Sequence, residues 1–271
     1  MPRLSIIITG RNDNYDGNFD DRLAIALRKN IDRLPDAEFI FVEWNPYLDR
    51  PLTSQRLRNI FGDRIRYIIV HPRYHNSFCS IDGFLEYPPK NVGIRRARGE
   101  FIVCTNSDVI FCPELVEKMR GELNKNTIYR ASRVDIKFDY LNVDFPLQPE
   151  YMLGENTGPT NAAGDFLMLD KESWHKLTGY CEAFPEQRLH KDAFAVHLLT
   201  EHHKLPIVTL GVMTHWRHPS SWSANNKPGQ YRSKVGDVHW NYKDCGFTRN
   251  EDNWGLANAI EVEKKGMTWI I

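Results

Sequence analysis

The sequence predicts an α/β fold: a three-layer α/β/α sandwich around a mixed central sheet that is parallel in its first half. Three observations lead there. Short apolar runs of strand length recur at Leu4–Thr9, Glu38–Glu43, Arg66–Val70 and Phe101–Cys104. Segments with helical spacing fall between them. Polar or acidic residues follow the runs directly, at the strand ends where open α/β sheets bind their ligands.

The first run is rich in β-branched residues, as a buried strand should be, and Gly10-Arg11-Asn12-Asp13-Asn14 after it is turn-forming. The next segment places Leu23, Leu27, Ile31 and Leu34 on one helical stripe, led by Asp20 and Asp21 where the helix dipole favours acids. The second strand ends at Glu43, with Trp44 beside it as a packing residue. Thr53–Phe61 reads as a short helix and His71–Pro89 as an irregular, aromatic segment with a Pro-Pro pair, a candidate flap. Asn91–Arg98 reads as a basic helix with Gly99 at a C-cap position. Phe101–Cys104 is then a central strand covered on both faces, breaking at Thr105-Asn106-Ser107-Asp108.

The second half is less periodic. Pro113 opens a helix, Thr127–Val134 is a strand, and Asp135–Gly158 is a long loop of the kind that carries function. Small residues and Gly164-Asp165 lead into another strand ending near Leu169, and Asp170 starts a helix. Asp192 stands near the start of a further helix; a helix-capping role and a chemical one both fit it. Asp165 is open between a structural bend and a hydroxyl contact. Leu205–Val212 is a late strand, followed by His215 and His218. The expected organisation is one domain over residues 1–219, in a first half (1–112) and a second half (113–219). The remainder, 220–271, carries Trp222, Trp240 and Trp254 and reads as an extension packing on that domain, a candidate lid.

Composition bounds the function. The chain has 271 residues, 41% apolar and 26% charged, with Lys+Arg and Asp+Glu both 35. That balance gives no general pull toward nucleic acid or an anionic membrane surface. Its five cysteines are dispersed without a C-x-x-C pair, which argues against a disulfide framework or a thiolate zinc site. The start reads as a strand and not as a signal peptide, and no apolar run reaches membrane-spanning length, so a cytoplasmic protein is expected.

The stretch KNVGIRRARGEFIVCTNSDVIF resembles the centre of GT-A fold, nucleotide-sugar-dependent glycosyltransferases: a basic helix, A-x-G-E, an apolar strand and an acidic tip. In that family the tip is usually Asp-x-Asp; here its first position is Asn106. The block from Gly164-Asp165-Phe166 to Trp174 and Gly179-Tyr180 resembles the family's acceptor side. The resemblance implies an inverting glycosyltransferase that moves a sugar from a nucleotide-diphosphate donor to a glycan or other hydroxyl acceptor. It implies that Asp108 holds Mn²⁺ or Mg²⁺, completed by His215 or His218. Arg11, Asp13, Glu43, Asn91, Arg95, Asn106 and Ser107 would bind the nucleotide sugar, with Asp165 on a donor or acceptor hydroxyl and Asp192 as the base. Two other readings stand beside it. A sugar nucleotidyltransferase would carry a glycine-rich loop after the first strand, which Gly10-Arg11-Asn12-Asp13 lacks. A non-catalytic carbohydrate- or nucleotide-binding protein on a degenerate transferase fold is compatible with Asn106.

Overall fold

A computed structural model of the chain describes residues 2–80, 83–137, 147, 152–156, 163–185, 191–218 and 246–271. Among these, four parallel strands form the centre: β1 (Leu4–Gly10), β2 (Glu38–Trp44), β3 (Ile65–Val70) and β4 (Phe101–Thr105). Beyond β4 the sheet becomes mixed. It continues through β8 (Phe166–Asp170), β6 (Ile128–Ile136), β9 (Ile207–Trp216) and β5 (Val109–Phe111), and β7 (Met152–Asn156) pairs with β6. The strand order is β10-β11-β3-β2-β1-β4-β8-β6-β9-β5. Connections leave β1 toward β2 on one side while β4 lies on the other, so the crevice between the ends of β1 and β4 is the switch point where such sheets take ligands.

The alternation of side chains along each strand builds the two cores. Ile6, Ile8, Phe39 and Phe41 face one layer, where α1 (Phe19–Arg33), α2 (Thr53–Phe61) and α5 (Pro113–Arg120) pack. The expected stripe of Leu23, Leu27, Ile31 and Leu34 is buried there, each side chain contributing about 1.5–3 kcal/mol. Ile7, Ile40 and Val42 face the other layer, with α4 (Tyr87–Arg96), α6 (Lys171–Leu177) and α7 (Lys191–His197).

Several local expectations change. The segment after β3 is not irregular throughout: α3 (Pro72–Phe78) forms there, with the His71 side chain accepting the Arg73 N–H at its start. The Pro88–Pro89 pair does not break structure. It lies in the first turn of α4, where a missing N–H costs nothing. Gly99 is not a left-handed cap; the helix ends at Arg96, and a Cβ on Gly99 would stand 2.6 Å from the Ser5 nitrogen. Close backbone approach is what requires the glycine. The described end of the chain rejoins the sheet. A hairpin of β10 (Glu261–Lys264) and β11 (Met267–Ile270) adds β11 in parallel to β3. The candidate lid with Trp222 and Trp240, and most of the loop after Lys137, lie outside the described residues. No described helix is long and apolar enough to cross a membrane.

α4 packs closely on β1, where a Cβ on Gly93 would sit 2.4 Å from Ile7 Cγ2. Gly93→Ala is expected to lower stability by about 1–3 kcal/mol through overpacking, despite alanine's better helix propensity. Urea unfolding measures it, and an unchanged or raised midpoint would contradict this packing.

Candidate functional site

Asp108 sits on the turn between β4 and β5, with its side chain 4% exposed. Sheet register decides its company. β5 runs antiparallel to β9 with Val109 opposite His215, and β9 runs parallel to β6 with Asp135 opposite the same His215. Asp108 Oδ2 consequently lies 2.8 Å from His218 Nε2 and 3.7 Å from His215 Nε2. Ligand atoms of the three residues all lie within 4.8 Å of one another. His215 Nδ1 is 2.9 Å from Asp135 Oδ1, which leaves Nε2 facing Asp108. Arg22, reaching in from α1, places Nε 3.6 Å from Asp108.

The charges here are tightly balanced. Burial works to raise the Asp108 carboxyl, but the His215, His218 and Arg22 side chains hold it far below the usual carboxylate range. Burial works against the His215 imidazolium, yet Asp108 and the Asp135 hydrogen bond raise its pKa. One carboxylate and two imidazoles suit a divalent cation of the manganese type better than magnesium, which prefers oxygen ligands throughout. Asp135 behind His215 is the carboxylate partner that orients a ligating ring.

A second cluster is contiguous with the first. Asn106 Nδ2 donates to Asp165 Oδ1 at 2.6 Å, and its Oδ1 accepts from Lys90 Nζ at 2.9 Å. Arg133 holds the other oxygen of Asp165 at 2.7 Å and approaches Asp135 at 3.1 Å. Lys90, fully buried, also donates to Glu86 Oε1 and the Gly164 carbonyl, and the Gly164 N–H donates to Asp192 Oδ2 at 2.7 Å. The departure at Asn106 has a reason in this geometry: an aspartate there would face Asp165 carboxylate to carboxylate.

The nucleotide-side expectations divide. Arg11 and Asp13 follow β1 at the switch point; Arg11 stacks 3.9 Å from the Tyr47 ring centre, whose ring Arg50 also approaches at 4.4 Å. Burial raises the Asp13 carboxyl, with Arg11 opposing. Ser107 is half-buried on the tip. Three others are engaged elsewhere. Glu43 is fully buried, and its two oxygens accept the Thr53 and Ser54 N–H groups, so it caps α2 instead of reaching toward a nucleotide. Asn91 is fully buried and bonded to the Tyr180 backbone and Glu182. Arg95 stacks 4.8 Å from the Trp254 ring, on the face of α4 that receives the end of the chain. Both point away from the tip because α4 turns that face to the 178–182 segment. Lys90, Arg22, Arg133, Asp135 and Tyr47 were not legible as site residues; only the pairing of a buried basic residue with the Asn106 departure could have hinted at Lys90.

No protein-family model matches the chain. No curated protein matches it either. Among solved structures it is similar to a mannosyltransferase from Pyrobaculum calidifontis determined in complex with GDP-Man and Mn²⁺. The TM-score is 0.52 at 13% identity, covering 82% of this chain and 59% of that protein. The likeness is one of fold, a Rossmann-like α/β fold with a large mixed sheet. Within it, the Asp108–His215–His218 cluster and the Asp165–Asp192 side flank the carboxyl end of β4. This chain spans 59% of the mannosyltransferase's length.

Asn106→Asp tests the account of the departure. It replaces a hydrogen bond by two facing carboxylates and is expected to cost about 1–3 kcal/mol at pH 8. A repelled carboxylate has a raised folded pKa, so the deficit should shrink as the pH falls through about 4–5. Urea unfolding at the two pH values checks this; a deficit that is absent, or grows on acidification, contradicts it.

Proposed function

We propose that the protein is a divalent-metal-dependent glycosyltransferase that moves a sugar from a nucleoside-diphosphate donor to an acceptor hydroxyl with inversion. The observation carrying this reading is the Asp108–His215–His218 donor set at the carboxyl end of β4, beside the β1/β4 crevice. The likeness to a mannosyltransferase bound to GDP-Man and Mn²⁺ supports it.

Asp108, His215 and His218 would hold Mn²⁺. A bound divalent ion there stabilises the charge on a departing nucleoside diphosphate. Asp135 keeps the His215 ring in orientation, and Arg22 supplies a fixed positive charge beside the same carboxylate. Arg11, Asp13 and Tyr47 line the path to the nucleoside, with Ser107 on the tip. Asn106 and Asp165 lie between the two sides, and Asp165 orients through Arg133. Asp192 is the base. One of its oxygens is fixed by the Gly164 N–H, and the other accepts from no described residue. That oxygen takes the acceptor hydroxyl's proton as the hydroxyl oxygen bonds to the anomeric carbon and the carbon–phosphate oxygen bond breaks. One attacking oxygen and one displacement give inversion.

A thermal-shift panel of UDP, GDP, CDP and dTDP with and without Mn²⁺ tests the donor site. One nucleotide should give a manganese-dependent rise in melting temperature, lost in Asp108→Ala. A panel without any such rise defeats the reading in favour of a non-catalytic protein. Asp135→Asn should weaken manganese affinity about 10–100-fold, read by calorimetry; equal affinity would remove Asp135 from the site. Asp192→Asn should lower kcat by about 10²–10⁴ with nucleotide affinity unchanged. Unchanged sugar transfer would sink the base assignment.

A further inference from the structure

Gly164 stands between the start of α4, which brings Glu86, Tyr87 and Lys90, and the start of α7, which brings Asp192. Its N–H donates to Asp192 Oδ2 at 2.7 Å, and its carbonyl accepts from Lys90 Nζ at 2.7 Å. Lys90 is fully buried, and its three donors are matched by three acceptors: Glu86 Oε1 at 2.6 Å, Asn106 Oδ1 at 2.9 Å and that carbonyl. Glu86 also crowds the glycine from the side. A Cβ built on Gly164 would lie 2.9 Å from Glu86 Oε1, 3.4 Å from the Tyr87 hydroxyl and 3.5 Å from Asp192 Oδ2. Two peptide planes meet at the Gly164 Cα: Lys90 holds the carbonyl of the one that follows, Arg130 Nη1 holds the Ala163 carbonyl of the one that carries the Gly164 N–H, and Glu86 packs against the Cα between them.

We propose that the Glu86–Lys90 pair is a positioning device that acts through the Gly164 peptide to aim the Asp192 carboxylate and hold it in register with the Asn106 tip. This rests on the reading of Asp192 as the base. An ion pair one turn apart on a helix normally adds little to stability, and a surface pair would serve that purpose. Here the ammonium is fully buried and bonds to both the tip and the Gly164 carbonyl. Loss of the Lys90 bond frees the 164–165 peptide, and loss of Glu86 frees the space at the Gly164 Cα; a Cα that shifts moves the N–H on Asp192 with it, and an ångström of misplacement at a reacting group costs about 100-fold in rate. Neither Lys90 nor Glu86 makes a hydrogen bond or ion pair with Asp108, His215 or His218; Arg133, bonded to both Asp165 and Asp135, stands between the pair and the metal side.

The test separates positioning from charge compensation. Lys90→Met alone leaves the half-buried Glu86 near Asp192 without its counterion and invites misfolding. The double variant Lys90→Met/Glu86→Gln removes both charges and should melt close to the wild type. If the pair serves stability alone, the double variant recovers function along with its fold. If it positions Asp192, function stays lost. The expected result for the double variant has three parts: Mn²⁺-dependent affinity for the nucleoside diphosphate found in the thermal panel within twofold of wild type; Gly164 amide exchange at least about 10-fold faster by NMR; and about 100-fold slower release of that diphosphate from its sugar nucleotide, with methyl glycosides as acceptors. Gly164→Ala, which keeps every charge and displaces Glu86, should reproduce the loss in turnover. Unchanged Gly164 exchange, or turnover that returns with stability, overturns the proposal. A wild-type protein with no manganese-dependent nucleotide binding overturns the glycosyltransferase reading itself, and the positioning role falls with it.

Discussion

An ammonium group with no access to water must find an acceptor for each of its hydrogens, and Lys90 imposes that requirement on everything around the tip of β4. Burial of the charge is tolerated because Glu86 neutralises it and two neutral oxygens complete the set. The acceptors are fixed in turn. Asn106 must present its oxygen to Lys90, which turns its amide nitrogen to Asp165; Asp165 must then find a second cation, and Arg133 supplies it. Arg133 carries the chain of contacts to Asp135 and so to His215. One buried lysine thus links the acceptor side to the metal side through alternating charges, each satisfied by the next.

Sheet register makes the other decisive contribution. The metal-type cluster draws its residues from positions 108, 215 and 218, over a hundred residues apart, and no side-chain preference brings them together. Backbone pairing does so. The antiparallel match of β5 to β9 and the parallel match of β6 to β9 align Val109, His215 and Asp135 in a row across three strands. A shift of one residue in either ladder would turn His215 to the opposite face. The short β5, only Val109–Phe111, is anchored by Asn30 of α1, whose side chain bonds both Val109 and Phe111 along the backbone.

The final segment docks on α4 and on the 178–182 segment. Glu182 accepts from Asn91 and from the Gly255 N–H, while Asn250 bonds the carbonyls of Thr178 and Tyr180 and receives the Glu182 N–H. Gly255 lies at φ 61 and so close to the Asn91 carbonyl that a Cβ would stand 2.6 Å from it. These contacts account for Asn91 and Arg95: the helix face that the family pattern would turn to a nucleotide is instead the dock for the final segment.

The sequence by itself determined the alternation of strands and helices, the buried stripe of α1, the polar strand ends, and the candidacy of Asp108, Asp192 and the two histidines. These are properties of spacing and residue type within a dozen residues, where periodicity and turn chemistry act directly. The helix at Pro72–Phe78 and the early start of α4 were missed because proline marks a helix's first turn as readily as it marks a loop. Tertiary structure alone decided which polar residues face the site. Glu43 has the right type and place on β2 yet is consumed by the N-terminus of α2, and Lys90, unmarked in the sequence, is drawn inside because three acceptors from three segments converge on it. A side chain's hydrogen-bond partners lie across the fold and not along the chain, so local pattern nominates polar residues and packing chooses among them.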